Sequence, residues 1–246
     1  MDAWVAGGTS GIGGQIVTQL GARGIQALAL SNDQKAGGQL RVQGGRFAYL
    51  DLGQSPDAVV QRTDELLNEY GVPQYVFMSA GLTRSVPVLE TSVADWTLLA
   101  NINLLGAIHF CNTVARAWRA TESEPWTRQC VIIGSVNAFR PLSSQGAYSV
   151  MKAGLHAYAK CLSNDLARDR VRVNVIAPGA IWTPMNAALF LDDDGGVKQK
   201  VVDSALVARW GEPQEIADVA VWLATESPPF VSGAEFVVDG GHMVKR

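Results

Sequence analysis

The stretch Ala3-Trp4-Val5-Ala6-Gly7-Gly8-Thr9-Ser10-Gly11-Ile12-Gly13 decides how the rest of the chain is read. Four apolar residues in succession read as a buried strand, and the glycines after them permit positive φ and a close approach of backbone to a ligand. A helix sets out from inside the turn, with Ile12, Ile16, Val17 and Leu20 on one face. Its N-terminal N–H groups and its dipole then point at the turn, which suits a phosphate. Gly7, Gly11 and Gly13 lack the usual GxGxxG spacing, so a dinucleotide site needs support from elsewhere in the chain.

That support lies in the pattern downstream. Short apolar runs at 3–6, 27–30, 46–50, 74–78, 129–133, 172–176 and 235–238 alternate with helical periodicity at 56–70, 93–120, 147–168 and 213–225. The alternation predicts an α/β fold: a single-domain, Rossmann-like, doubly wound sheet of seven parallel strands with helices on both faces, spanning residues 1–246. Ligands bind at the carboxyl edge of such a sheet. Ser31 and Asn32 follow the second strand there, Asp51 and Leu52 the third, Ala80 and Gly81 the fourth. A helix cap is the simpler reading of Asp51. The segment 182–208 interrupts the alternation and is expected to be a substrate-binding lid within the domain, its run Asp192 to Gly196 forming a solvated turn.

Composition narrows the function classes. Twenty basic and 23 acidic residues give a net charge of -3, and no basic cluster would track a nucleic acid. No unbroken apolar run approaches the ~18–20 residues needed to span a bilayer, and the N-terminus lacks the pattern of an export signal, so a cytoplasmic protein without membrane association is expected. Cys111, Cys130 and Cys161 sit in apolar segments, too far apart for a zinc site, and are expected to be buried thiols; no metal is expected.

A second constellation points to proton chemistry. Ser135 closes the fifth strand, and Tyr148 and Lys152 are four residues apart, on one face of the following helix. A phenol titrates near ~10, and a neighbouring ammonium favours its ionised form. Positive charge on an oxidised nicotinamide would add to that effect. Tyr148 is thus expected to exchange a proton with an alcohol or ketone, Ser135 to hydrogen-bond the reacting oxygen, and Asn103, on the preceding long helix, to hold a water that links Lys152 to solvent.

In these motifs the chain resembles the short-chain dehydrogenase/reductase family, and in particular its bacterial members of similar length. The resemblance rests on Gly7-x-x-x-Gly11-Ile12-Gly13, Asp51-Leu52, Ala80-Gly81, Asn101-Ile102-Asn103, Ser135 and Tyr148-x-x-x-Lys152. It continues through Asn174-Val175-Ile176-Ala177-Pro178-Gly179, Thr183, Arg209-Trp210-Gly211-Glu212-Pro213, Ser232-Gly233 and Val238-Asp239-Gly240-Gly241.

It implies an NAD(P)(H)-dependent oxidoreductase interconverting a small-molecule ketone or aldehyde and an alcohol, with the tetrad Asn103, Ser135, Tyr148 and Lys152. It implies cofactor contacts from Gly7, Thr9, Ser10, Gly11, Ile12 and Gly13, from Ser31, Asn32, Asp51, Leu52, Ala80 and Gly81, and from Tyr148, Lys152, Pro178, Gly179, Ile181 and Thr183. It also implies a homotetramer, or less often a dimer.

The chain departs from the family's pattern at Ala6, at Met78-Ser79 and at Gly134, where a serine is frequent. NADP(H) is expected in preference to NAD(H), since no acidic residue ends the second strand and Ser31, Asn32 and Lys35 suit a 2'-phosphate. Asp33 leaves NAD(H) open. The same fold also carries non-redox enzymes and binding or regulatory modules, which would be expected to lose a tetrad member or the glycine turn; this chain has both.

Overall fold

The computed structural model describes residues 1–186 and 196–245. The acidic run Asp192-Asp193-Asp194, expected as a turn, lies outside the described residues, as does the middle of the expected lid. The strands are β1 (Ala3–Ala6), β2 (Ala27–Ser31), β3 (Arg46–Tyr49), β4 (Tyr75–Met78), β5 (Gln129–Ile133), β6 (Arg172–Pro178) and β7 (Glu235–Val238). They pair in parallel in the order β3-β2-β1-β4-β5-β6-β7. Strand succession reverses between β1 and β4, and the crevice of such a sheet opens at that reversal.

Burial explains why β1 reads as an unbroken apolar run. Trp4 and Ala6 pack with Val76 and Met78 of β4 under Leu66, Phe110, Val114 and Leu155. Ala3 and Val5 face the opposite way with Phe77, under Ile16, Leu20, Ile216 and Ala220. Successive side chains of a strand point to opposite faces, so a sheet covered on both sides admits no polar alternation. The covering helices are α1 (Gly11–Ala22), α3 (Pro56–Tyr70), α5 (Gly106–Arg119), α6 (Gly146–Asp165) and α8 (Pro213–Thr225). α2 (Gln34–Val42), α4 (Val93–Ala100) and α7 (Val197–Asp203) complete the described set.

Two elements depart from the sequence pattern. α2 has no strong apolar periodicity and carries Gly37 and Gly38. It forms because Asp33 caps it, accepting the Ala36 N–H at 2.9 Å, and because Gly37 lies flat on Phe47, where a Cβ would stand 2.4 Å from the ring. The second is the expected single helix at 93–120. It is interrupted by a π turn at Asn101–Leu105, in which the Gly106 N–H reaches back five residues to the Asn101 carbonyl.

Taken as one rod, Val93–Arg119 is 27 residues long and apolar enough to cross a membrane, but half of its most apolar window is buried inside the protein. That is the character of a core helix. Cys111 and Cys130 are buried as expected, whereas Cys161 is exposed because it faces outward from α6. Strand ends shift by a residue or two: β6 runs on to Pro178, which pairs with Val238.

Asn174, fully buried in β6, shows how a polar residue can be structural here. Its Nδ2 donates to the Val231 carbonyl at 2.9 Å and its Oδ1 accepts the Ala234 N–H at 3.0 Å, fastening the chain that leads into β7. Asn174→Ala takes the partners from two half-buried backbone groups, and a loss of about 1–3 kcal/mol is expected. Urea unfolding followed by circular dichroism checks it; a midpoint equal to that of the native chain would contradict this account.

Candidate active site

The turn after β1 is as tight as its glycines permit. Gly7 (φ +80°) abuts the end of β4, so a Cβ there would stand 2.7 Å from the Ala80 nitrogen; one on Gly13 would stand 2.2 Å from the Gly7 carbonyl oxygen. Ser10 begins α1 without a side-chain cap, which leaves the first-turn N–H groups directed at the turn. Gly11 lies beside Thr183 and Pro184, about where a Cβ would make ordinary contact at 3.6 Å, so the turn and the start of the 182–208 segment line one crevice.

Asp51 sits at the neighbouring edge and is no helix cap: Ser55 caps α3, its hydroxyl accepting the Ala58 N–H. The Asp51 carboxylate accepts instead from the Gly53 N–H at 3.0 Å, from Asn32 at 3.3 Å and from Gln54 at 3.1 Å, tying the ends of β2 and β3 together. Ser31 accepts the Asp33 N–H, and Asp33 itself is held at the cap of α2.

Across the reversal stand the groups read as proton carriers. The π turn widens the helix by one residue, which turns Asn103 inward. Its Oδ1 accepts the Leu82 N–H at 3.0 Å, and its Nδ2 donates to the Leu82 and Leu99 carbonyls at 2.9 and 3.1 Å. The side chain is thereby committed to fixing the loop after β4. It stands next to Gly81, whose Cβ position is 3.0 Å from Asn103 Oδ1 and 3.7 Å from Lys152 Nζ.

Lys152 is buried and donates to the Ile133 carbonyl at 2.9 Å, at the end of β5, with its ammonium 5.7 Å from the centre of the Tyr148 ring. Ser135 follows two residues on, in extended conformation; its Oγ accepts the Asn137 N–H at 3.1 Å, which leaves its own hydrogen available. That hydroxyl lowers the proton affinity of the Tyr148 phenol.

Burial governs the charges. It pushes the Tyr148 phenol up to about 12, against a smaller lowering by the Ser135 hydroxyl. It pulls the Lys152 ammonium down to about 8. Lys152 was expected to favour the ionised phenol; burial instead raises the phenol, and Lys152 is not among the groups that shift it.

Pro178 and Gly179 end β6 beside the crevice, with the Gly179 N–H on the Val238 carbonyl. Ile181 is buried, bridged to Gly211, and its carbonyl accepts from Asn186 at 2.9 Å. Tyr148 lies 13 positions after Ser135 and Lys152 lies 17 after it, yet the strand end and helix face bring them to the same sheet edge. Outside the described tetrad, the sequence reading missed the His156–Glu235 pair behind Ser135, since a lone histidine on an apolar helix face carries no visible signal.

Three comparisons bear on this arrangement. The family model described as enoyl-(acyl carrier protein) reductase matches residues 6–243. A 3-oxoacyl-(acyl-carrier-protein) reductase from Chlamydia trachomatis is 30% identical over 97% of this chain and 96% of its own length. An acetoacetyl-CoA reductase from Cupriavidus necator is 31% identical over 98% of each. Among solved structures, a short-chain dehydrogenase/reductase (glucose/ribitol dehydrogenase) from Brucella melitensis superposes with a TM-score of 0.86 at 26% identity, covering 98% of this chain and 96% of that one.

The displaced lysine has a consequence for stability. At neutral pH both folded and unfolded chains carry the ammonium, and the folded chain bears the whole cost of burying it; moving from 10.5 to about 8 corresponds to about 3 kcal/mol. Between pH 8 and 10.5 the unfolded chain binds more protons than the folded one, so this cost fades as pH rises. Lys152→Met, which gives up the bond to Ile133, is expected to be about 2 kcal/mol more stable than the native chain at pH 7, the gain shrinking above pH 8. Urea midpoints at pH 7 and pH 10 read this out, and a variant less stable at both would contradict it.

Proposed function

The chain belongs to the short-chain dehydrogenase/reductase family, and we propose that Tyr148 is the proton donor and acceptor with which it interconverts a ketone or aldehyde and the corresponding alcohol. It is an NAD(P)(H)-dependent oxidoreductase. The observation that supports the assignment of roles is the Lys152 ammonium, 5.7 Å from the centre of the Tyr148 ring and bonded to the Ile133 carbonyl two residues before Ser135.

The residues present fit a dinucleotide. A glycine turn without side chains over it, facing an uncapped helix N-terminus, is built for a pyrophosphate. Gly7, Thr9, Ser10, Gly11, Ile12 and Gly13 would hold that group; Ser31, Asn32, Asp51 and Leu52 the adenosine half; Ala80, Gly81, Lys152, Pro178, Gly179, Ile181 and Thr183 the nicotinamide half. When bound, the nicotinamide supplies or takes up the hydride.

The chain's own groups handle the proton. With its phenol held protonated by burial, Tyr148 can donate to the oxygen of a carbonyl under reduction. Ser135, whose lone pair is occupied by the Asn137 N–H, turns its hydrogen toward the same oxygen and stabilises charge developing there. Lys152 keeps positive charge near the phenol as the proton leaves, and Asn103 braces the loop at Leu82, whose neighbour Gly81 stands beside the Lys152 ammonium. The lysine's depressed affinity for its own proton suits it to passing one on.

The family model's description names reduction of a carbon–carbon double bond. The carbonyl reading is favoured by Ser135 beside Tyr148, since a donor pair on one oxygen serves a developing alkoxide. The names of two relatives, a 3-oxoacyl and an acetoacetyl reductase, point the same way.

NADP(H) is the proposed cofactor in preference to NAD(H): with Asp33 drawn into the α2 cap, Ser31, Asn32 and the exposed Lys35 are left to meet a 2'-phosphate. The same proposal has the chain act in the cytosol as a homotetramer. It has 182–208 close as a lid, hinged where Val207 and Ser204 are fastened to Gly240 and His242.

Tyr148→Phe is expected to lower turnover of a ketone panel by about 10²-fold or more while leaving NAD(P)H affinity within twofold, because only the proton carrier is removed. Near-native turnover would sink the assignment. In the same preparation, fluorescence titration is expected to give a lower Kd for NADPH than for NADH; NADH tighter by about tenfold, or 1.4 kcal/mol, would reverse the cofactor choice.

A further inference from the structure

The hydrogen-bond ladder between β5 and β6 ends at Gly134, whose N–H meets the Ile176 carbonyl at 2.7 Å. The next N–H, that of Ser135, lies beyond the ladder and donates at 3.3 Å to Nε2 of His156. His156 is buried on α6, one turn past Lys152. Its Nδ1 lies 2.9 Å from Glu235 Oε1 on β7, and the other oxygen of Glu235 carries the Lys160 ammonium at 2.7 Å. An imidazole nitrogen that accepts an N–H cannot itself bear a hydrogen, so the ring hydrogen sits on Nδ1 and is donated to Glu235. Phe139 closes the remaining side, edge to face at 5.1 Å.

Gly134 is part of the same device. A Cβ there would stand 1.9 Å from His156 Nε2. The serine that is frequent at this position in the family therefore cannot coexist with His156 in this pose, and the departure at Gly134 becomes a packing requirement of the histidine.

We propose that His156 and Glu235 are positioning residues for Ser135: the neutral imidazole, oriented by the carboxylate, holds the Ser135 amide and so aims its hydroxyl, and protonation of the imidazole releases that hold. The proposal rests on the carbonyl reading above, in which Ser135 touches the reacting oxygen. Among the described residues, the charged groups that act on the ring are Glu235 from β7 and Lys152 and Lys160 from α6. Burial lowers its proton affinity most; Glu235 raises it, and the two lysines lower it further, so the ring stays neutral through neutral pH. Loss of function is then confined to acid, below the ordinary imidazole range.

The test combines pH profiles with a spectroscopic readout on the intact chain. For the native chain, kcat for a ketone reduced by NAD(P)H is expected to fall on an acid limb below about pH 6.5. Glu235→Gln keeps an acceptor for Nδ1 but removes the charge that favours imidazolium, so the limb should move to lower pH. His156→Leu should lower kcat about tenfold or more with NAD(P)H affinity within twofold and without this limb. His156→Gln, whose carboxamide oxygen can still accept the Ser135 N–H, should recover most of kcat and keep it in acid. A His156→Leu variant with native kcat and a native pH profile would overturn the proposal.

Should that variant fail to fold by thermal melting, His156→Gln and nitrogen-15 NMR decide. Imidazole shifts of the native chain at pH 7 are expected to place the hydrogen on Nδ1, with the Ser135 amide moving in step with the ring on acidification. A hydrogen on Nε2, or an amide indifferent to the ring, overturns it. If the native chain reduces no carbonyl at all, the functional reading fails, whereas the NMR result still tests the pair on its own.

Discussion

A cation buried against a single strand end organises the centre of this molecule. The Lys152 ammonium reaches from α6 to the Ile133 carbonyl, and taking it out of water displaces its proton affinity to about 8. Such a group persists only where surrounding structure over-determines its place. β5 supplies the carbonyl, α6 the stem, and the loop after β4, braced by Asn103, the wall at Gly81. The same three elements deliver Ser135, Tyr148 and the crevice, so the site and the lysine's confinement are one construction. Stability is given up for it, as is common where function asks for a poised charge.

Close backbone packing makes the confinement possible. Gly7 touches Ala80, Gly13 touches Gly7, and Gly106 lies where a Cβ would be 2.3 Å from the Leu52 carbonyl. Each contact draws a helix or loop toward the carboxyl edge of the sheet at the reversal of strand order. The π turn answers to the same demand: with Gly106 pressed on Leu52, the helix at 93–119 must gain a residue to follow both the sheet and the loop at Leu82, and Asn103 is the residue it turns inward.

Behind the site runs a second polar chain, separate from the crevice at the glycine turn. Lys160, Glu235 and His156 lead from the surface to the Ser135 amide, across α6, β7 and the end of β5. Buried polar groups are tolerated only when satisfied, and here the Ser135 N–H meets Nε2 of His156 while Nδ1 of that ring meets Glu235. The glycine at 134 and the histidine at 156 make sense only together.

Much of this could be read from the order of residues. Strand-like runs, the glycine turn and the spacing of Tyr148 and Lys152 report short-range regularities, namely side-chain period, positive φ and one helical turn, so the strands, the major helices and the gathering of Ser135, Tyr148 and Lys152 at one sheet edge were legible in the sequence. α2 was not, because its formation depends on Phe47 receiving Gly37 and on Asp33 being claimed as a cap, both contacts outside its own periodicity. Nor was the π turn, the exposure of Cys161, or the rise of the Tyr148 phenol to about 12. Proton affinity depends on how much solvent a fold removes, and a residue's neighbours in sequence do not say that. By itself the sequence determined the fold class, the family and the chemical types gathered at the sheet edge; the tertiary structure alone decided which of them are buried, which hydrogen each holds, and that His156 reaches Ser135, because those follow from packing between elements far apart in the chain.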